Sequence, residues 1–156
     1  MKGDPKVISL LNDVLTVELT AINQYFIASR MQRNWGLERL SAYYRKESID
    51  EMKHAGQLID RILFLEGVPN LQKLNKVLVG ESVREQMELD LGEEHKAIHR
   101  LNDGIRTCRE AGDNGSEDLL TRILTSEEEH TDWLETQLDL IKRLGEQNYL
   151  AEQLKE

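Results

Sequence analysis

The chain has 156 residues, of which 39% are hydrophobic and 31% charged, and its formal net charge is -9. That length suits one domain with a buried core, and the composition is typical of a folded, helix-rich chain. The acidic excess argues against nucleic acid as a partner, because its phosphate groups would be repelled. The single cysteine, Cys108, excludes an internal disulfide, and no apolar run approaches a membrane span or a secretory leader. We therefore expect a cytoplasmic protein that does not contact a membrane.

Two helices are predicted in the first half of the chain. The first begins at Asp4-Pro5, a capping side chain followed by proline, and its apolar residues recur at steps of three and four until Gly36. The second extends from about Glu38 to Glu66 and is ended by Gly67. Only one or two residues separate the two helices, so they should form an antiparallel hairpin.

The second half of the chain repeats this arrangement. A third helix is predicted from about Val83 to Ala111, followed by a turn at Gly112–Gly115. Ser116 is the expected cap of a fourth helix, which ends at Gly145. The short tail over Glu146–Leu154 predicts a fifth helix of one or two turns.

A link of about sixteen residues, Gly67–Ser82, separates the two hairpins. At roughly 3.3 Å per residue it can span about 50 Å, enough to run the length of a bundle. Two hairpins joined by one long crossover predict an all-α, ferritin-like four-helix bundle, a single domain over residues 1–156 with a short C-terminal fifth helix. Apolar residues within the link predict that it packs on the bundle surface, and these are Leu71, Leu74, Val77, Leu78 and Val79.

Glutamates and histidines of the chain repeat under a shift of 76 residues. Each copy is a lone glutamate followed 33 residues later by a Glu-x-x-His motif. All of these residues occupy slots in which the helical period predicts a core residue, so their side chains should point into the bundle. The six positions are Glu18, Glu51, His54, Glu94, Glu127 and His130.

Four carboxylates and two imidazoles are the ligands with which a four-helix bundle holds two iron or manganese ions. The glutamate and histidine of each Glu-x-x-His motif lie on one helix face, so each pair can bind one metal. Without metal, buried carboxylates would repel each other and their pKa values would rise, which makes a purely structural role hard to explain. The six residues therefore predict a di-metal site, although these ligands suit iron, manganese and zinc alike.

Several neighbouring residues are further candidates. Tyr25 lies on the inward face two turns beyond the first repeated glutamate, either as a partner of the ligands, as a redox-active phenol or as a core tyrosine. Glu47, one turn before a Glu-x-x-His motif, either guards an entrance or pairs with a neighbour. His95 and His99 lie off the inward line of the third helix, so we expect them at the surface. On the fourth helix Glu128 and Glu129 turn away from Glu127, so we expect them on a solvated face.

With these residues placed, the chain resembles bacterioferritin over essentially its whole length. The resemblance implies a cytoplasmic iron-storage protein with twenty-four subunits in a hollow shell. It also implies a ferroxidase centre in each subunit, with the six repeated residues as ligands, that oxidises Fe(II) using O2 or H2O2. The segments that carry the resemblance are Met1–Asp4, Ala21–Phe26, Asn34–Leu37, Glu47–Ala55, Arg61–Gly67, Pro69–Gln72, Asp132–Glu135 and Gln147–Leu150.

The resemblance also implies haem b between twofold-related subunits, one for each pair of chains, with Met52 of each chain as axial ligand. A ferredoxin-type donor would then supply electrons for iron release. This chain has Arg45-Lys46 where many family members have Tyr-His. In the family that tyrosine borders the haem pocket, and the histidine is linked with an aspartate to an inner-surface iron site. That aspartate corresponds to Asp50, which remains the candidate for inner-surface iron.

Two other classes of function are open at this stage. A di-iron peroxidase or oxygenase of the rubrerythrin-like type would be a monomer or dimer with an open substrate pocket, but this chain lacks rubredoxin-like cysteines and an extra domain. A purely structural helical subunit is disfavoured by the predicted buried acids. The sequence therefore favours a ferroxidase that assembles with copies of itself.

Overall fold

The structure is a computed structural model that describes residues 1–154. These residues form helices and connecting segments and contain no strand. In chain order the helices are α1 (Pro5–Asn34), α2 (Glu38–Phe64), α3 (Val83–Glu110), α4 (Asn114–Leu144) and the short α5 (Glu146–Ala151). Helix α1 packs mainly against α2, and α3 mainly against α4, while contacts of α1 with α3 and of α2 with α4 join the two hairpins. The predicted four-helix bundle with one long crossover and a C-terminal fifth helix is confirmed.

Polar side chains cap the starts of α1, α3 and α4. Asp4 accepts a hydrogen bond of 2.7 Å from the amide two residues later, and Ser82 caps α3 through a bond of 3.2 Å. The expectation that Ser116 caps α4 is wrong. Asp113 is the cap, and its Oδ1 accepts from the Ser116 amide at 3.0 Å. The same carboxylate accepts from Arg61 Nη2 of α2 at 2.7 Å, a contact that favours the earlier start.

Helix α2 ends at Phe64, two residues before the predicted end. Glu66 adopts a left-handed φ of 64°, which is uncommon for a residue other than glycine, and this turns the chain out of the helix. The Gly67 amide then donates to the Ile62 carbonyl at 2.9 Å. A side chain at Gly67 would place its Cβ 2.6 Å from Cγ2 of Ile8 on α1, so close packing of the two helices requires glycine here.

Polar contacts attach the crossover to α1. The Asn70 amide donates to Asn12 Oδ1 at 2.8 Å, and the Leu78 amide donates to Gln24 Oε1 at 3.0 Å. Between them the Asn75 amide donates to a hydroxyl of α1 at 2.9 Å. The crossover therefore lies on the bundle surface as predicted. Three of the five apolar side chains expected to pack there are about half exposed: Leu71, Leu74 and Val79.

Two apolar clusters lie along the bundle and leave a polar layer between them. On α3, for example, Leu101 belongs to one cluster and Met87 to the other, and the acidic Glu94 lies between them in the chain. On α4, Ile123 and Leu134 flank Glu127 in the same way. The fold thus carries acidic residues from all four long helices into the interior of the bundle.

Candidate metal centre

Four buried or nearly buried side chains converge in the polar layer. Glu18 of α1, Glu51 and His54 of α2 and Glu127 of α4 each offer one ligand atom, and these atoms lie within 4.8 Å of one another. His54 Nδ1 is at the centre, 3.5 Å from Glu18 Oε2, 3.7 Å from Glu51 Oε2 and 3.4 Å from Glu127 Oε1. Three carboxylates and one imidazole arranged in this way can bind a divalent metal ion.

Unpartnered polar atoms support this reading of the site. Buried polar side-chain atoms in proteins nearly always have a hydrogen-bond partner, so each exception needs an explanation. Within residues 1–154, most of the buried side-chain atoms without such a partner belong to predicted ligands. A bound metal would supply the missing interaction for them. These atoms are Glu18 Oε2, His54 Nδ1, Glu94 Oε2, Glu127 Oε1 and His130 Nε2.

Glu94 and His130 lie beside the four-residue cluster rather than within it. The charge of Glu127 acts on the buried Glu94 carboxyl, and the Tyr25 hydroxyl donates a hydrogen bond to Glu94 Oε1. The Tyr25 ring packs edge-on against the His130 imidazole, with centroids 5.1 Å apart. His130 Nδ1 is 3.4 Å from Glu47 Oε2. Tyr25 and Glu47 thus contact the two remaining predicted ligands.

The carboxyl groups of the centre have raised pKa values. Burial is the largest cause for Glu18, and the neighbouring His54 partly offsets it. Burial and then the charge of Glu127 hold the pKa of Glu94 well above its ordinary value. Burial and then the charge of Glu18 raise the pKa of Glu127. The metal-free centre therefore favours protonation, as expected for crowded acids.

The two histidines differ in protonation. Burial lowers the pKa of His54, but the nearby carboxylates of Glu127 and Glu18 outweigh burial and raise it to about 10. Burial, with the charge of Lys46, lowers the pKa of His130 to about 4. In metal-free protein near neutral pH, His54 therefore carries a proton that a metal ion must displace, whereas His130 is already neutral.

Tyr43 was not identified from the sequence, although it touches the site. Its hydroxyl is 3.3 Å from His130 Nδ1, and its ring stacks on Trp133 with centroids 3.7 Å apart. Burial and then the charge of Glu47 raise the pKa of Tyr43. Its spacing in the sequence could have identified it, because Tyr43 precedes Glu47 by one helical turn and therefore lies on the same face of α2.

Asp90 is a second residue that the sequence analysis missed. It is 1% exposed, and its Oδ1 accepts a hydrogen bond of 2.7 Å from Gln24 Nε2. Burial raises the pKa of Asp90 to about 7. Asp90 lies one turn before Glu94, and this spacing could have identified it as inward-facing.

The remaining candidates lie outside the polar layer. Met52 is 58% exposed, consistent with the expected outward orientation, and Phe26 and Ile49 are exposed as well. Asp50 lies between two lysines, as described below. The prediction that His95 and His99 lie at the surface is confirmed, because their side chains are 60% and 82% exposed.

Comparison with known proteins identifies the family of the chain. The model of the ferritin-like domain matches residues 8–144. Bacterioferritin of Mycobacterium leprae is 53% identical over 152 residues, which cover 97% of this chain and 96% of that protein. Bacterioferritins of Streptomyces coelicolor and Rhodobacter capsulatus are 52% and 49% identical, over 97% and 96% of this chain and 90% and 92% of their own lengths. The chain therefore belongs to the bacterioferritin family.

Proposed function

We propose that this protein stores iron and oxidises Fe(II) to Fe(III) with O2 or H2O2 at a two-iron centre in each subunit. The observation that carries the proposal is the buried cluster around His54, in which ligand atoms of four residues lie within 4.8 Å and several lack any partner. Membership of the bacterioferritin family supports it. The proposed ligands are Glu18, Glu51, His54, Glu94, Glu127 and His130.

The charges of the centre favour the oxidised product. Fe(II) enters as the substrate, displaces the His54 proton and is held by carboxylates that would otherwise repel one another. A negatively charged site in a low-dielectric interior stabilises Fe(III) more than Fe(II), because Coulomb attraction grows with the charge of the ion. Each iron gives one electron to O2 or H2O2. Through its hydrogen bond Tyr25 holds Glu94 in position, as expected for a residue that orients a ligand.

A small cavity suggests the route by which Fe(II) reaches the centre. It has a volume of about 20 Å³ and is lined by residues of all four long helices and the crossover, with Glu18, Glu94 and Glu127 among its acidic side chains. Asn75 and Glu93 also line it. Acidic side chains on this route would attract Fe(II) and repel anions.

Membership of the family supports a proposal for the assembly and location. We infer a hollow shell of twenty-four copies in which the product mineralises, with residues 1–156 of each copy acting as one domain in the cytoplasm. Lys155 and Glu156 lie outside the described residues. Among residues 1–154, no helix has the length and apolar character needed to cross a membrane.

Haem b, one for each pair of chains, is also part of the proposal. The exposed side chains of Met52, Phe26 and Ile49 fit the chemistry of the group, because they offer a thioether and two apolar side chains at the surface. A methionine-ligated haem has a raised reduction potential and could pass electrons from a ferredoxin-type donor toward stored iron. On this chain, Met52 would bind the haem iron while Phe26 and Ile49 exclude water from its face.

Iron(II) oxidation by Glu94→Ala and Glu127→Ala variants tests the proposal. Both variants should lose most of the rapid oxidation that follows Fe(II) addition, while a Glu128→Ala variant, in which an exposed acid is removed, retains it. Gel filtration should give the same large assembly for all of them. Unchanged oxidation in both inner-residue variants would refute the assigned centre. A monomer or dimer that consumes peroxide with an organic substrate would favour the rubrerythrin-like alternative.

A further inference from the structure

A basic groove lies along the α1–α2 hairpin, outside the polar layer. It has a volume of about 410 Å³ and extends from the last turn of α1 along the first half of α2. In a chain with a net charge of -9, four cationic side chains and only two acids line this groove. They are Arg33, Arg45, Lys46 and Lys53, with Glu38 and Asp50.

The acid of the groove nearest the lysines is already paired. Asp50 Oδ2 is 3.1 Å from Lys46 Nζ, and Asp50 Oδ1 is 4.0 Å from Lys53 Nζ. Neither Arg33 nor Arg45 has a carboxylate oxygen within 4.0 Å among residues 1–154. The groove thus keeps two guanidinium groups whose N–H donors are free to bind a ligand.

These charges disfavour a cation and favour an anion. An iron ion at Asp50 would have to approach two ammonium groups, so the structure does not support Asp50 as an inner-surface iron ligand. A planar guanidinium donates two parallel hydrogen bonds to an oxyanion, and lysine adds a compact positive charge. We propose that the groove of Arg33, Arg45, Lys46 and Lys53 binds an oxyanion.

Two sources of oxyanion fit this chemistry. Inorganic phosphate is one, and it combines with Fe(III) in mineral. The carboxylates of a haem are the other, because Arg45, Ile49 and Lys53 follow one another by single turns on the side of α2 that also presents Met52. Met52 lies seven positions after Arg45, a rise of about 10 Å along the helix. The haem source rests on the haem proposal above, whereas the phosphate source does not.

Phosphate titration of the iron-free, haem-free assembly tests the first source. Binding of inorganic phosphate, followed by calorimetry, should be about tenfold weaker in an Arg33→Gln/Arg45→Gln variant, since a charge-assisted contact is lost. A Lys73→Gln/Lys142→Gln variant removes the same charge from exposed positions and should bind as the original protein does. Gel filtration and Fe(II) oxidation should be unchanged in both variants, which separates this test from that of the ferroxidase centre.

Haem loading tests the second source. If the groove holds the haem carboxylates, the Arg33→Gln/Arg45→Gln variant should retain haem about tenfold less tightly. The original protein should likewise retain the haem dimethyl ester, which lacks free carboxylates, less tightly than haem. An effect on phosphate alone or on haem alone supports the groove and identifies the source. Equal binding of both ligands by the groove variant and the lysine control would overturn the proposal.

Discussion

The buried acids of the centre should couple metal binding to stability, and Glu127→Gln tests this coupling. Glu127 is 1% exposed, and its Oε1 lies 3.4 Å from His54 Nδ1. This oxygen has no hydrogen-bond partner among residues 1–154. The amide is nearly the same size as the carboxyl group but cannot ionise. It should therefore relieve charge repulsion in the metal-free protein and weaken metal binding. Glu128→Gln is the matched control, because it makes the same change at the next, exposed position.

The size of the effect follows from mass action. At a free metal concentration 100 times Kd, binding stabilises the folded state by about 2.7 kcal/mol. A chain of this size changes its Tm by roughly 2–4 °C per kcal/mol, so Zn(II) or Co(II) should raise the Tm by about 5–11 °C. Loss of one of the four clustered donors is expected to weaken metal binding about tenfold. The same metal concentration then stabilises the folded state by about 1.4 kcal/mol and raises the Tm by about 3–6 °C.

Thermal unfolding by circular dichroism measures this prediction. Chelator-treated protein is compared with and without added Zn(II) or Co(II), at one protein concentration so that assembly contributes equally. Glu127→Gln should melt no lower than the original protein without metal and should gain about half as much Tm with it. The reasoning is refuted if Glu127→Gln and Glu128→Gln gain the same Tm, or if metal leaves the original protein unchanged.

Three further predictions follow. Met52→Leu should abolish haem binding, measured by absorbance, while assembly and Fe(II) oxidation persist. Normal haem content would exclude Met52 as ligand. Asp113→Ala should cost about 0.5–2 kcal/mol in urea unfolding, and Asp113→Asn, which keeps a capping side chain, should cost less. Burial alone would raise the pKa of Asp113, but hydrogen bonds from Ser116 and Arg61 outweigh burial and lower it. The contribution of Asp113 to the unfolding free energy should therefore be lost only as the pH falls below the ordinary aspartate pKa. Raised pKa values at Glu18 and the other buried acids mean that metal-free protein should lose unfolding free energy as pH rises through those values. A pH-independent free energy would contradict this.

Periodicity predicted the helices well because each has a long apolar face, and tertiary contacts decided the details that it missed. Asp113 and Ser116 are both good capping residues, and nothing local distinguishes them. Arg61 does so, because it lies on α2 and binds Asp113 across the bundle. The crossover shows the same limit. Its route along α1 depends on side chains such as Asn12 and Gln24, whose pairing with distant amides leaves no pattern in the sequence.

The candidate ligands were predictable because they break an apolar pattern, whereas their supporting residues do not. A glutamate such as Glu94 is conspicuous where a leucine is expected, and its burial could be inferred from spacing alone. Tyr43 is an ordinary residue for a helix, and its contact with His130 depends on how α2 packs against α4. The lysines beside Asp50 are ordinary surface residues in the sequence. Their role can be inferred only from the structure, in which they line one groove with Arg33 of α1.

Helix α2 divides its functions between opposite faces, and this explains why the proposed activities should separate by mutation. Glu51 points into the bundle toward the metal centre, whereas the next residue, Met52, is rotated by about 100° and is exposed. Arg45 lies on the same outer side as Met52, in the basic groove. A change on the outer face leaves the buried ligands untouched, so it can alter haem or anion binding without altering Fe(II) oxidation. Coupling between the two faces can still act through charge, because Lys46 and Asp50 line the groove and act on the pKa of His130, so the activities should separate most cleanly for changes at Arg45 and Met52.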